Sequence, residues 1–179
     1  MLAVSWRSEC REASGRCGGV FDGFEARRID TDRAAIFLQF GETGPSLLLL
    51  HGFPQTHPMW YETLAGLAER YTLICPDLRC YGACSNPPDG NNREGYRAAA
   101  GIDLEPDRAD AAARIACPLL LLWVLVLWGV GSVAGKLFDP LAVWREKAGV
   151  VTEEALDGSH FLPGERPQQE LAALKEFLD

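Results

Sequence analysis

The sequence lacks the excess of basic residues that a nucleic-acid-binding surface needs. Its 179 residues include 17 lysines and arginines against 25 aspartates and glutamates, which gives a formal net charge of −8 at pH 7. Nucleic acid is bound through positive charge, so this balance disfavours such a partner. The acidic residues are dispersed along the chain, which is typical of a solvated surface.

Residues that could hold a metal ion are also scarce. Cys80 and Cys84 could form half of a zinc site, but no second pair of Cys or His lies near them, so we expect no metal and no cofactor. Cys75 and Cys117 lie in apolar segments and are predicted to be buried free thiols.

A secretory signal is missing too, because the first 20 residues contain no apolar core segment. The expected location is therefore the reducing cytoplasm. Residues 1–19 show no periodicity and are interpreted as a disordered leader, or as the product of a wrongly chosen start codon.

One long hydrophobic run allows a different interpretation, in which the protein is anchored in a membrane. From Ile115 to Gly135, 21 residues carry no charge, and that length could span a bilayer. A buried strand followed by a glycine-rich loop explains the run as well, since strands of parallel sheets read as continuous apolar segments. Pro118 near its start favours the strand. A membrane anchor at 115–135 is disfavoured but stays an alternative.

Predicted strands and helices alternate along the rest of the chain. Apolar segments predict strands at 34–40, 46–52, 71–77, 118–128 and within 149–158. Helical spacing and proline positions predict helices at 58–71, 137–149 and 167–179. This alternation favours an α/β fold with a mostly parallel sheet flanked by helices.

Three motifs occur in a set order: LLLLHGFP at 47–54, ICPDLRCYGACSNP at 74–87 and GSHFLPGERP at 158–167. This order resembles the α/β-hydrolase superfamily, and within it the branch of haloacetate (fluoroacetate) dehalogenases and epoxide hydrolases. HGFPQ is close to the His-Gly-Phe-Pro-Gln element of that branch, and DLRCYGACS resembles its Asp-Leu-Arg-Gly-Tyr-Gly-x-Ser loop. The resemblance runs from about Phe21 to Asp179.

The resemblance implies a small-molecule substrate, such as a haloacid, that is hydrolysed through an Asp ester. The turn of His51, Gly52, Phe53 and Pro54 would form the oxyanion and halide side of the pocket, with the Phe53 N–H facing the substrate and His51 holding the turn. His160 would be the general base that activates water against the ester, a role that suits histidine near neutral pH.

Four other side chains have a structural interpretation that we prefer to a functional one. His57 is expected to be a solvated residue at a helix entry, and Trp60 is expected to pack in the core. Asp139 is the nearest candidate for the triad acid, although a helix-start role is commoner. Cys84 could replace the nucleophile beside His160, but no elbow is predicted to hold it.

The nucleophile itself is missing from this pattern. In the superfamily it lies on a Gly-x-Nuc-x-Gly elbow between a strand and a helix. Across the region of resemblance, no Ser, Asp or Cys has a glycine both two residues before it and two residues after it. The segment after Pro88 resembles the end of the family's lid instead. We therefore expect an incomplete α/β-hydrolase fold without the elbow strand and most of the lid.

Residues 20–179 are accordingly predicted to form a single truncated domain, with an N-terminal part at 20–88 and a C-terminal part at 96–179. Three functions are compatible with this organisation. The chain could be an inactive relative of haloacetate dehalogenases, or a non-catalytic binding protein that dimerises through an open sheet edge. The third function is that of a membrane-anchored protein.

Overall fold

The computed structural model describes residues 21–31, 34–41, 44–52, 55–79, 81–84, 112–124, 139–159 and 161–179. These residues form two compact units. The first contains the described residues of Met1–Tyr61 and Leu67–Ala98, and the second contains those of Glu62–Gly66 and Ala99–Asp179. The predicted leader lies outside the described residues, and the single truncated domain stays a prediction.

The first unit is built on a four-stranded sheet. Its strands are β1 (Glu25–Asp30), β2 (Ala35–Gly41), β3 (Ser46–Leu48) and β4 (Thr72–Pro76), in the spatial order β1-β2-β4-β3. The β1–β2 and β2–β4 pairs are antiparallel, and the β3–β4 pair is parallel. A parallel pair needs a crossover connection. Here the connection includes a 3-10 helix (His57–Trp60) and α1 (Tyr61–Leu64).

Alternate residues of β4 face the interior of the first unit, as the two-residue period of a strand requires. Leu73, Cys75 and the following Asp77 are each at most 1% exposed. Burial raises the pKa of the Cys75 thiol to about 12, so this thiol stays protonated. The prediction of a buried Cys75 is thus confirmed. The same prediction for Cys117 is wrong, because that residue lies ahead of the next strand and is exposed.

The second unit contains a two-stranded parallel sheet of β5 (Leu119–Val124) and β6 (Val151–Leu156). Its remaining helices are α2 (Pro140–Lys147), α3 (Leu162–Glu165) and α4 (Pro167–Leu178). β5 occupies the first part of the long apolar run, which confirms the strand interpretation there. Residues 125–138 lie outside the described part. No described helix is long and apolar enough to cross a membrane.

The C-terminal helix α4 brings a carboxyl group into the interior of the second unit. Ala173 and Leu174 are buried on this helix, and so is Glu170, which is 1% exposed. The hydroxyl of Thr63 on α1 donates a hydrogen bond to Oε2 of Glu170 at 2.6 Å. Burial is the largest influence on this group and raises the pKa of Glu170 to about 7, although the hydrogen bond from Thr63 lowers it.

Candidate active site

The described part of the candidate site is organised around Asp77, directly after β4. Its Oδ1 accepts the backbone N–H of His57 at 2.8 Å and lies 2.8 Å from Nδ1 of the same residue. Its Oδ2 accepts the backbone N–H of Ala83 at 2.8 Å. One buried carboxylate therefore connects the end of β4, the start of the 3-10 helix and the loop at 81–84.

The loop at 81–84 closes tightly over this carboxylate. Gly82 has φ +51, and a Cβ there would lie 2.0 Å from Oδ2 of Asp77, so a side chain would meet both backbone strain and a collision. Cys84 donates its S–H to the Asp77 carbonyl at 3.1 Å and accepts the Phe37 N–H at 3.2 Å. These two bonds give the Cys84 thiol a structural role.

The charge state of Asp77 follows from its surroundings. Burial alone raises the pKa of Asp77, but the hydrogen bonds from His57 and Ala83, together with the imidazole charge, outweigh it and lower the pKa below 3.8. Asp77 is therefore ionised at neutral pH. With backbone donors on both oxygens, this carboxylate holds the start of the 3-10 helix and the loop at 81–84 in place.

His51 fixes the turn that follows β3. Its ring is buried, Nε2 accepts the backbone N–H of Leu78 at 2.8 Å, and Nδ1 lies 3.0 Å from the carbonyl of Gly52. A backbone N–H can only donate, so Nε2 carries no proton and the ring is the neutral tautomer with its proton on Nδ1. The separation of 3.9 Å between Nε2 and Asp77 is therefore not an ion pair.

The predicted oxyanion turn is described only at its ends. The Gln55 N–H donates to the Gly52 carbonyl at 3.0 Å, which closes a four-residue turn. Gly52 is exposed, and among the described residues a Cβ there would come within 4 Å of Oε1 of Gln55 alone, at 3.6 Å. Phe53 and Pro54 lie outside the described residues, so the oxyanion role of the Phe53 N–H stays a prediction.

The expectation of a solvated His57 is wrong. The residue does begin a helix, but its side chain is only 13% exposed. Its ring packs 5.2 Å from the rings of Phe21 and Phe37, measured between centroids. The pairing with Asp77, 20 residues further along the chain, explains the burial, and no local sequence pattern signals so distant a partner. Trp60 is buried, as predicted.

His160 lies outside the described residues, but both of its neighbours are described. The backbone N–H and the hydroxyl of Ser159 both donate to the carboxylate of Glu165 at the end of α3. These bonds hold the pKa of Glu165 below its usual value. The side chain of Arg166 donates to the Asp157 carbonyl at 3.2 Å. The sequence alone did not identify Glu165 as the partner of Ser159.

The sequence candidate for the triad acid has a structural role in the described part of the chain. Asp139 caps α2 by accepting the Ala142 N–H at 3.0 Å, which confirms its helix-start role. Cys17 does have glycines at both elbow positions, but it precedes β1 and lies outside the described residues. Within the described ranges, no three His, Cys, Asp or Glu side chains converge as metal ligands would.

Comparisons with known proteins relate part of this chain to one fold family. Residues 45–112 match the family model of the alpha/beta hydrolase fold. A fluoroacetate dehalogenase from Burkholderia sp. is 44% identical over 77 residues, which are 43% of this chain and 25% of that protein. A soluble epoxide hydrolase from Corynebacterium sp. (strain C12) is 44% identical over 48 residues, 27% of this chain and 17% of that protein. The matches thus span a quarter or less of these two relatives.

Solved structures support the same fold over more of the chain. A protein from Nostoc sp. PCC 7120, described as an alpha/beta hydrolase, superposes with a TM-score of 0.66 at 24% identity and covers 88% of this chain and 99% of its own. A structure described as an epoxide hydrolase from Pseudomonas aeruginosa gives 0.63 at 21% identity, covering 87% and 95%. At this identity the likeness establishes the fold alone.

Proposed function

Because this chain belongs to the α/β-hydrolase superfamily and has an incomplete form of its fold, we propose that it derives from a haloacid hydrolase and does not turn substrate over. The proposal has two parts. The substrate class rests on the dehalogenase match, and the lack of turnover rests on the missing nucleophile.

Support for the substrate class comes from the 44% identity to the fluoroacetate dehalogenase over 77 residues. The match to the family model begins at residue 45 and includes the turn at His51 and Gly52 and the carboxylate of Asp77. These are the groups that the hydrogen bonds from Leu78 and His57 hold in place. The chain therefore retains the framework around the predicted oxyanion turn, and a small halogenated acid is the substrate class we assign to it.

The lack of a nucleophile elbow is the observation that carries the second part. Asp77 is the buried carboxylate nearest the turn in sequence, and both of its oxygens already accept backbone N–H groups. It is 1% exposed, and its contacts support a role in holding the loop and the helix start. Loss of the nucleophile from a catalytic triad lowers kcat by about 10⁶-fold in a well-studied hydrolase. Halide release is therefore expected far below the rate of a complete dehalogenase.

Halide release from fluoroacetate and chloroacetate tests this proposal. The purified chain is incubated with each acid, and fluoride or chloride is measured with an ion-selective electrode over a day. We expect no release above buffer, while the Burkholderia dehalogenase under the same conditions serves as the positive control. Release above buffer that disappears in His160→Gln would overturn the lack of turnover and would identify His160 as a working base.

A second candidate function is a non-catalytic protein that binds a copy of itself. The specific observation in its favour is the β3 edge of the first sheet, beside which no further described strand lies and where Leu48 is 56% and Leu50 is 47% exposed. An enzyme without turnover can keep its fold for such a role.

A further inference from the structure

The outer edge of β3 is a self-complementary surface for strand pairing. β3 is the last strand in the order β1-β2-β4-β3, so among the described strands it has a neighbour on one side only. On that side, the Leu49 N–H donates to the Ile74 carbonyl at 2.9 Å, and the Pro45 carbonyl accepts the Thr72 N–H at 2.8 Å. Backbone groups of the odd-numbered residues are thus directed at β4.

The even-numbered residues present their backbone groups to the open side. In a strand, successive residues direct their N–H and C=O groups to opposite sides. Since Pro45 and Leu49 bond to β4, Ser46, Leu48 and Leu50 direct theirs away from it. Edge strands of this kind are templates for another strand unless a charge, a proline or a bulge protects them.

The described residues of the edge itself supply no such protection. Residues 46–50 read SLLLL and carry no charge and no proline. Leu48 and Leu50 lie on one face because they are two residues apart, and both are exposed. An uncharged edge also lets two chains approach without direct repulsion at the point of contact, although each carries a net charge of −8.

We propose that a second copy of this chain pairs with this edge, antiparallel and with the twofold axis at Leu48. Leu48 then faces Leu48 of the copy, and Ser46 faces Leu50. Each of these pairs exchanges both backbone hydrogen bonds, because all of the outward-directed groups belong to these residues. The same patch serves both copies, which is the geometry of a closed dimer, and the two exposed leucines of each copy cover those of the other.

The first test places a charge on the edge. Sedimentation equilibrium is measured for the full chain, Leu48→Lys and the matched control Val150→Lys, since Val150 is also exposed (58%) but lies beside β6 in the other unit. We expect a dimer for the full chain and the control, and a dissociation constant at least 100-fold weaker for Leu48→Lys. A monomeric full chain, or a dimer that survives Leu48→Lys, would overturn the proposal.

The second test measures the register of the two paired β3 strands directly, and it does not need a variant that weakens the dimer. In Leu48→Cys, the two new cysteines of a dimer lie about 5.5 Å apart between Cα atoms, within the range that a disulfide bridges. In Ser46→Cys, the equivalent atoms lie roughly 14 Å apart, because they are four residues out of register. Peptide mapping after mild oxidation should find the 48–48 crosslink and no 46–46 crosslink. Equal crosslinking at the two positions would contradict the twofold axis at Leu48.

Discussion

At the scale of single residues, Asp77 is the position where a small change should cost the most stability. Asp77→Asn keeps the volume but replaces one acceptor oxygen by an NH₂ donor, which would face the N–H groups of His57 or Ala83. We expect a loss of about 3 kcal/mol in the free energy of unfolding, because a buried donor is left unpaired and hydrogen bonds to a carboxylate are lost. Urea unfolding at pH 7 measures it.

The control for this variant is Asp157→Asn, at an exposed carboxylate of the second unit. It should change stability by less than about 0.5 kcal/mol. Equal effects of the two substitutions would show that the hydrogen bonds to Asp77 contribute nothing beyond surface charge.

The contribution of Asp77 to the free energy of unfolding depends on pH, and the direction of this dependence follows from its lowered pKa. The folded-state pKa of Asp77 lies below its usual 3.8, so its stabilising contribution is complete above that value and disappears as the pH falls through the folded pKa. Unfolding free energies measured from about pH 5 down to about pH 2 should fall less steeply for Asp77→Asn than for the unchanged chain. Parallel curves for the two proteins would be incompatible with a lowered pKa.

The sequence predicted Trp60, Cys75 and Asp139 correctly because their roles follow from local patterns. An aromatic residue at helical spacing, a thiol within an apolar strand and an aspartate before a helix each have one common environment. The predictions for His57 and Cys117 were wrong. The burial of His57 depends on a chain segment far away, and the exposure of Cys117 depends on where the next strand begins. Hydrogen bonds over 20 residues, such as His57 to Asp77, leave no periodicity in the sequence.

At the scale of secondary structure, apolar periodicity located β2, β4, β5, β6, α2 and α4 within a few residues. It missed β1, whose sequence EARRID has charged residues at four of six positions. It also extended the helix at 58–71 too far, since the α-helix ends at Leu64. Gly66 follows, and glycine weakens a helix; a Cβ there would lie 2.6 Å from the end of the Leu171 side chain of α4.

The packing of α4 against Thr63 predicts that Glu170→Gln stabilises the protein at neutral and alkaline pH. The folded-state pKa of Glu170 is about 7 against an ordinary 4.5, so the folded protein keeps a proton that the unfolded chain has lost between these values. Stability therefore falls as the pH rises through this window, by about 3 kcal/mol in total. Glutamine keeps the size and an acceptor for the Thr63 hydroxyl without a charge to bury.

Thermal or urea unfolding at pH 4 and pH 8 measures this effect. We expect Glu170→Gln to match the unchanged chain at pH 4 and to exceed it by up to about 3 kcal/mol at pH 8. Glu176→Gln, at an exposed position of the same helix, is the control and should be neutral at both pH values. A destabilised Glu170→Gln at pH 8 would mean that the ionised carboxylate has a partner that stabilises it.

At the scale of the whole molecule, the dimer inferred at β3 couples stability to concentration. Association stabilises the folded state by mass action, so a hundredfold rise in protein concentration adds about 1.4 kcal/mol per chain when two chains fold as one unit. For a chain of this size, the melting temperature should then rise by roughly 3–6 °C. Calorimetry at two concentrations should show this shift for the full chain and for Val150→Lys, and none for Leu48→Lys. A shift that persists in Leu48→Lys would place the contact between copies on a different surface.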